Sequence, residues 1–65
     1  MEKWKLKAIR ANLQMSQAEF AKAIGMPITT YQRREAEPYN LTLEEAKKIS
    51  ELSGIDINDI DITKD

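Results

Sequence analysis

Residues 28–33 read Ile-Thr-Thr-Tyr-Gln-Arg, and most of these side chains suit a flat, hydrogen-bonding partner. Arg33 offers two parallel N–H donors, the pattern that pairs with O6 and N7 of guanine. Gln32 offers a donor beside an acceptor, which fits adenine or, alternatively, a phosphate. The methyl of Thr29 and the side chain of Ile28 can pack on thymine methyls, and Ile28 can instead turn into a protein core. Thr30 suits a phosphate oxygen. Further along, Tyr39 and Asn40 carry polar tips that can touch a nucleic-acid backbone, although Glu37 beside them would repel phosphate.

Such residues need a rigid mount, and the flanking sequence supplies one. Ser16 followed by Glu19 forms a capping box that opens a helix over about Gln17 to Ile24. Gly25 then follows the last apolar residue, where a helix ends on a left-handed residue. Only Met26 and Pro27 separate it from a second helix, Ile28 to Glu35 or Ala36, with Pro27 tolerated at its first turn. Two short helices across a glycine turn are the pattern of a helix-turn-helix, whose second helix can enter the major groove of DNA. At the start of the first helix, free N–H groups favour an anion. Gln17 there either donates to a phosphate or is simply solvated, and Ser16 either caps its own helix or joins that contact.

Helix 1, from about Glu2 or Lys3 to Asn12, has Leu6, Ile9 and Leu13 on one face, with Arg10 in the same stripe. A charge on an apolar face is costly without a partner. Glu35, on the inner face of the second motif helix with Tyr31, is the best candidate for a bidentate pair. After a loop at 37–41, Thr42 and Glu45 make a second capping box. The helix they open is expected to bury Leu43, Ala46, Ile49 and Leu52 and to end at Gly54. Asp56 caps a last short helix with Ile57 and Ile60 inward, and the chain beyond is expected to be frayed. The fold class is therefore all-α: one single domain over 1–65, with five short helices and an ordered core of about 3–61.

The composition limits the alternatives. The chain has 65 residues, no Cys and no His, so thiolate chemistry, disulfides and the commonest general base are absent. The carboxylates scatter over exposed helix faces, with no catalytic constellation, so no enzyme, metal or cofactor is expected. No apolar run spans a membrane and the N-terminus lacks a signal-peptide core, so a cytoplasmic protein is expected. The net charge is −1, but it is unevenly divided: residues 1–34 carry +5 and residues 35–65 carry −6. The local field, not the total, governs approach to DNA.

These residues resemble the Cro/CI-type (XRE-type) helix-turn-helix family of phage and bacterial repressors, over about Leu6 to Ile60. The resemblance is strongest in SQAEFAKAIG with Glu35 at the expected distance, and GIDINDI is similar to the family's final helix. It implies a compact five-helix, lambda-repressor-like domain that binds operator DNA as a dimer. It also implies the Arg10–Glu35 pair, phosphate contact from Gln17 and base contacts from Ile28, Thr29, Gln32 and Arg33. Dimer contacts are implied around Ile55 to Ile60. Four positions depart from the family pattern: Pro27 for a Ser or Thr cap, Arg34 for an apolar residue, Glu37 with Pro38 for a glycine, and Ser53 for a Leu.

The leading expectation is a sequence-specific DNA-binding regulator, a small Cro-like phage or prophage repressor. Its partners would be double-stranded operator DNA and a second copy, with no membrane and no small-molecule substrate. At this size any dimer would form through the domain itself. The alternative is a protein-interaction module, antitoxin-like or anti-repressor, suggested by the acidic second half and the missing glycine.

Overall fold

A computed structural model describes residues 3–62. Among these, four α-helices follow one another: α1 Leu6–Asn12, α2 Gln17–Ala23, α3 Ile28–Ala36 and α4 Leu43–Ser53. Single 3₁₀ turns lie at Pro38–Asn40 and Ile57–Asp59. The core gathers Leu6 and Ile9 from α1, Phe20 and Ala21 from α2, Tyr31 from α3 and Ile49 from α4, and Ile24, Met26 and Ile60 complete it. Among the described residues no helix is long and apolar enough to cross a membrane.

Local chemistry explains where α2 and α3 begin and end. Ser16 Oγ accepts from Glu19 N at 3.1 Å and Glu19 Oε1 accepts from Ser16 N at 2.8 Å, closing the capping box. At the other end Met26 N donates to Ala21 O and Gly25 N to Lys22 O, with Gly25 at φ +69°. This is a Schellman ending, and it turns Met26 into the core beside the helix it follows. A Cβ at Gly25 would meet nothing closer than Lys48 Nζ at 3.9 Å, so the left-handed backbone, not space, requires the glycine.

The same ending closes α1 without a glycine. Met15 N donates to Arg10 O, Gln14 N to Ala11 O, and Gln14 takes φ +56°. Nothing in the residue type announces this turn, because Gln is an uncommon choice for left-handed backbone.

Four expectations need correction. Helix 1 starts at Leu6, not near Lys3, and Glu2 lies outside the described residues. The segment before it is extended because Trp4 pairs with the C-terminal strand-like segment: Trp4 N donates to Asp59 O and Asp61 N to Trp4 O, both at 2.7 Å. This pairing also replaces the fifth helix by one 3₁₀ turn, since Ile60 must be extended to meet Trp4. Asp61 is correspondingly held, with Lys5 Nζ 3.6 Å from its carboxylate, where a frayed tail was expected; residues 63–65 lie outside the described range. Finally, Ala46 and Ile49 are buried as expected, but Leu43 is 65% exposed and Leu52 37%. A spacing of three drifts by about 60° per step on an α-helix, so residues nine apart point in opposite directions. Only the middle pair of such a series can face one core.

The two left-handed turns make opposite predictions. Gln14→Gly is expected to raise unfolding free energy by about 0.5–1 kcal/mol, and Gly25→Ala to lower it by about 1–2 kcal/mol. Urea unfolding followed by the fluorescence of Trp4 measures both.

Candidate nucleic-acid interface

The base of the site is a polar spine inside the motif. Arg10 Nε donates to Glu35 Oε2 at 3.0 Å and Arg10 Nη2 to Glu35 Oε1 at 3.2 Å. Arg10 Nη1 donates to Met15 O at 3.0 Å. One guanidinium therefore ties the end of α1, the α1–α2 turn and the last turn of α3 together. The two side chains are 18% and 10% exposed. Tyr31 packs its ring against Phe20, with centroids 5.1 Å apart, and its buried hydroxyl lies against the pair without closing a hydrogen bond of good geometry.

The spine continues outward through amides. Gln17 Nε2 donates to Glu35 Oε1 and Gln32 Nε2 donates to Gln17 Oε1, both at 3.2 Å. The sequence brought Arg10 to Glu35, but it treated Gln17 and Gln32 as independent surface residues. Their link has no sequence signal, because it depends on how closely the start of α2 approaches α3.

Ile28, Thr29, Gln32 and Arg33 share the exposed side of α3, with Ile28 41% exposed, and Thr30 is half-buried. Of the residues read as phosphate contacts, Ser16 holds its own cap and Gln17 is half-buried within the spine. Tyr39 and Asn40 are exposed on the 3₁₀ turn, and Tyr39 Oη donates to Glu37 Oε2 at 2.8 Å. Between the N-terminal segment and the ends of α2 and α3 runs a groove of about 550 Å³, whose lining includes Lys5, Lys7, Gln17, Gln32 and Tyr39.

The departures from the family pattern find local partners. Arg34 Nε donates to Glu45 Oε1 at 3.1 Å, strapping α3 to α4 where an apolar contact would otherwise sit. The same reasoning that paired Arg10 applies here: a cation at a position that wants an apolar residue needs an anion. Ser53 Oγ donates to Ile49 O at 2.7 Å and accepts from Ile55 N, so it helps close α4. Pro27 begins α3 with suitable φ but no side-chain cap.

Burial alone would push the Glu35 carboxyl up, but Arg10, then the nearby Tyr31 hydroxyl and Gln17, outweigh it and hold it below the usual range. Arg10 is correspondingly raised, chiefly by its bond to Glu35. Burial, and then Glu35, pushes the Tyr31 phenol well up. Glu45 is also lowered: burial opposes it, and the Thr42 N–H and Arg34 prevail.

A spine-braced α2–α3 unit with an exposed polar helix face defines a helix-turn-helix DNA-binding domain. The model of a helix-turn-helix family, of the Cro/CI (XRE) type, matches residues 6–60, and the chain belongs to this family of DNA-binding transcription regulators. No curated protein and no solved structure matches the chain.

Two predictions follow from the spine. Glu35→Ala leaves Arg10 without its anion and is expected to cost about 3 kcal/mol, whereas the double change Arg10→Met with Glu35→Leu costs less than either single change. Chemical unfolding of Glu35→Ala, of the single changes Arg10→Met and Glu35→Leu, and of the double variant decides this. Because Glu35 and Glu45 titrate below their ordinary 4.5, their contribution is complete above that value and is lost as pH falls through the folded pKa values. The thermal midpoint should drop on acidification below about pH 4.5, and Glu35→Gln should flatten that slope.

Proposed function

We propose that this chain is a small, cytoplasmic, Cro-like repressor of phage or prophage type that binds operator DNA as a homodimer. The observation that carries the reading is the exposed face of α3, mounted on the Arg10–Glu35 spine. In it α3 lies in the major groove. Arg33 reads guanine, Gln32 reads adenine, and Ile28 and Thr29 pack on thymine methyls. Ser16, Gln17, Thr30, Tyr39 and Asn40 line the phosphate path, with Glu37 limiting the approach at its far end. The +5 charge of residues 1–34 favours this side over the acidic second half.

Two copies meet through the segment around Ile55 to Ile60. Support comes from the exposed Leu43 and Ile62, which flank Ile57 in an apolar groove of about 330 Å³. In such a pair the recognition helices sit roughly 34 Å apart, one turn of DNA. The whole chain, 1–65, acts as one domain.

The test is selection from a random-sequence duplex library, followed by anisotropy titration of the selected site at 50 and about 200 mM salt. The expected result is a two-fold symmetric site, a stoichiometry of two chains per duplex and a steep loss of affinity with salt. Arg33→Ala should relax the preference for guanine at one position of each half-site, at about 1–3 kcal/mol. Binding no tighter than to random duplex at low salt, with a protein as the main captured ligand, would reject the reading for a protein-interaction module.

A further inference from the structure

We propose that Arg34 is a DNA-backbone contact: its two terminal nitrogens grip one phosphate of each half-site while Glu45 holds its Nε. This rests on the DNA-binding reading and adds to it a charged residue on the α4 side of α3. Two arginines of the chain lie against a carboxylate of a neighbouring helix, and they are used differently. Arg10 spends all three nitrogens inside the domain, two on Glu35 and one on Met15 O. Arg34 spends only Nε, on Glu45 Oε1 at 3.1 Å. Its Nη1 and Nη2 carry four of the five N–H donors of a guanidinium, and they donate to no protein atom among the described residues. A strap between α3 and α4 does not need them. They keep the planar fork that matches two oxygens of a phosphate.

The fork is held in place before any ligand arrives. Glu45 Oε1 also accepts from Thr42 N at 2.9 Å, and Glu45 N donates to Thr42 Oγ1 at 3.1 Å, so the carboxylate is fixed by the capping box of α4. An arginine pinned at Nε has less side-chain freedom to lose on binding. Its position suits a backbone contact. Arg34 follows Thr30 by four residues on α3, so the two share one side of the helix, next to the face that carries Arg33. Thr30, Thr42 and Glu45 line a depression of about 240 Å³ between the α2–α3 turn and the start of α4. Arg34 is thus bonded to the wall of a depression that Thr30 also lines. Of the charges there, Lys48 offsets Glu44 and Arg34 offsets Glu45, so no net charge turns an anion away.

A backbone contact changes affinity without changing which bases are preferred, and it releases counterions. The experiment uses the full chain, comparing wild type with Arg34→Met, which restores an apolar side chain at this position, and Arg34→Gln, which can still donate to Glu45. Circular dichroism and Trp4 fluorescence confirm the fold of each, and either variant that folds serves. Each is titrated over a range of salt against the selected duplex, and then against duplexes in which one phosphate at a time is replaced by an uncharged methylphosphonate. The expected result is a salt slope shallower by about 0.9 for each half-site, with base preferences from the random library unchanged. At one phosphate of each half-site the methylphosphonate should weaken wild type by about fivefold and leave the Arg34 variants unaffected. Salt slopes and methylphosphonate patterns that match those of wild type overturn the proposal, because Arg34 is then only a strap, and the DNA-binding reading stands. Altered base preference with an unchanged slope also overturns it, since Arg34 then acts through the placement of α3. Failure of the wild type to select any site removes that reading and this inference together.

Discussion

The bidentate contact between Arg10 and Glu35 is the interaction on which the rest of the arrangement depends. It joins residues 25 apart in sequence. Without it, an arginine would sit in the apolar stripe of α1 and a carboxylate on the inner face of α3, each incompatible with its surroundings. With it, the α1–α2 turn, the start of α2 and the end of α3 are held by one cation. A domain of this size has roughly 3–10 kcal/mol of stability in total, so breaking such a tie is a large fraction of what holds it folded. Replacing both partners by apolar residues is a different matter, because neither is then stranded. The pair therefore specifies how α3 is mounted more than it adds net stability.

From this foot the geometry passes outward by hydrogen bonds rather than by packing. Gln17 and Gln32 extend the spine to the surface, and the apolar contacts of Phe20 with Tyr31 keep α2 and α3 at the distance that lets the amides meet. A second strap, Arg34 to Glu45, does for α3 and α4 what Arg10 does for α1 and α3. Glu45 serves twice, since the same oxygen accepts from Thr42 N in the capping box of α4. Both faces of α3 that touch protein are thus fixed by ion pairs, and its remaining face carries the exposed Thr29, Gln32 and Arg33.

Much of this was legible in the sequence where one residue type implies one local geometry. The capping boxes at Ser16 and Thr42 and the glycine ending at Gly25 form as read, because their partners are three to five residues away. Arg10 found Glu35 because a charge in an apolar stripe needs an anion, and few inward carboxylates were available. What escaped were arrangements set by distance in space. The pairing of Trp4 with the segment at Ile60 shortened α1 and reduced the final helix to one turn, and neither end announces the other. The ending at Gln14 lacked the glycine that marks such a turn. The Gln17–Gln32 link likewise has no local signature. Leu43 and Leu52 were read as core from a spacing of three, which does not keep to one face of a helix.

The central claim is that a fixed Arg10–Glu35 pair holds α3 so that Arg33 is left for a ligand. Side-chain Nε–H spectra of the ¹⁵N-arginine-labelled protein, recorded with and without the selected duplex, test it most directly. The account predicts a slowly exchanging Arg10 Nε–H that is present in both states and is lost in Glu35→Gln. It predicts an Arg33 Nε–H that exchanges rapidly in the free protein and becomes protected only with duplex. An Arg10 Nε–H that exchanges as fast as that of Arg33 in the free protein, or that changes on adding duplex while Arg33 does not, would contradict it.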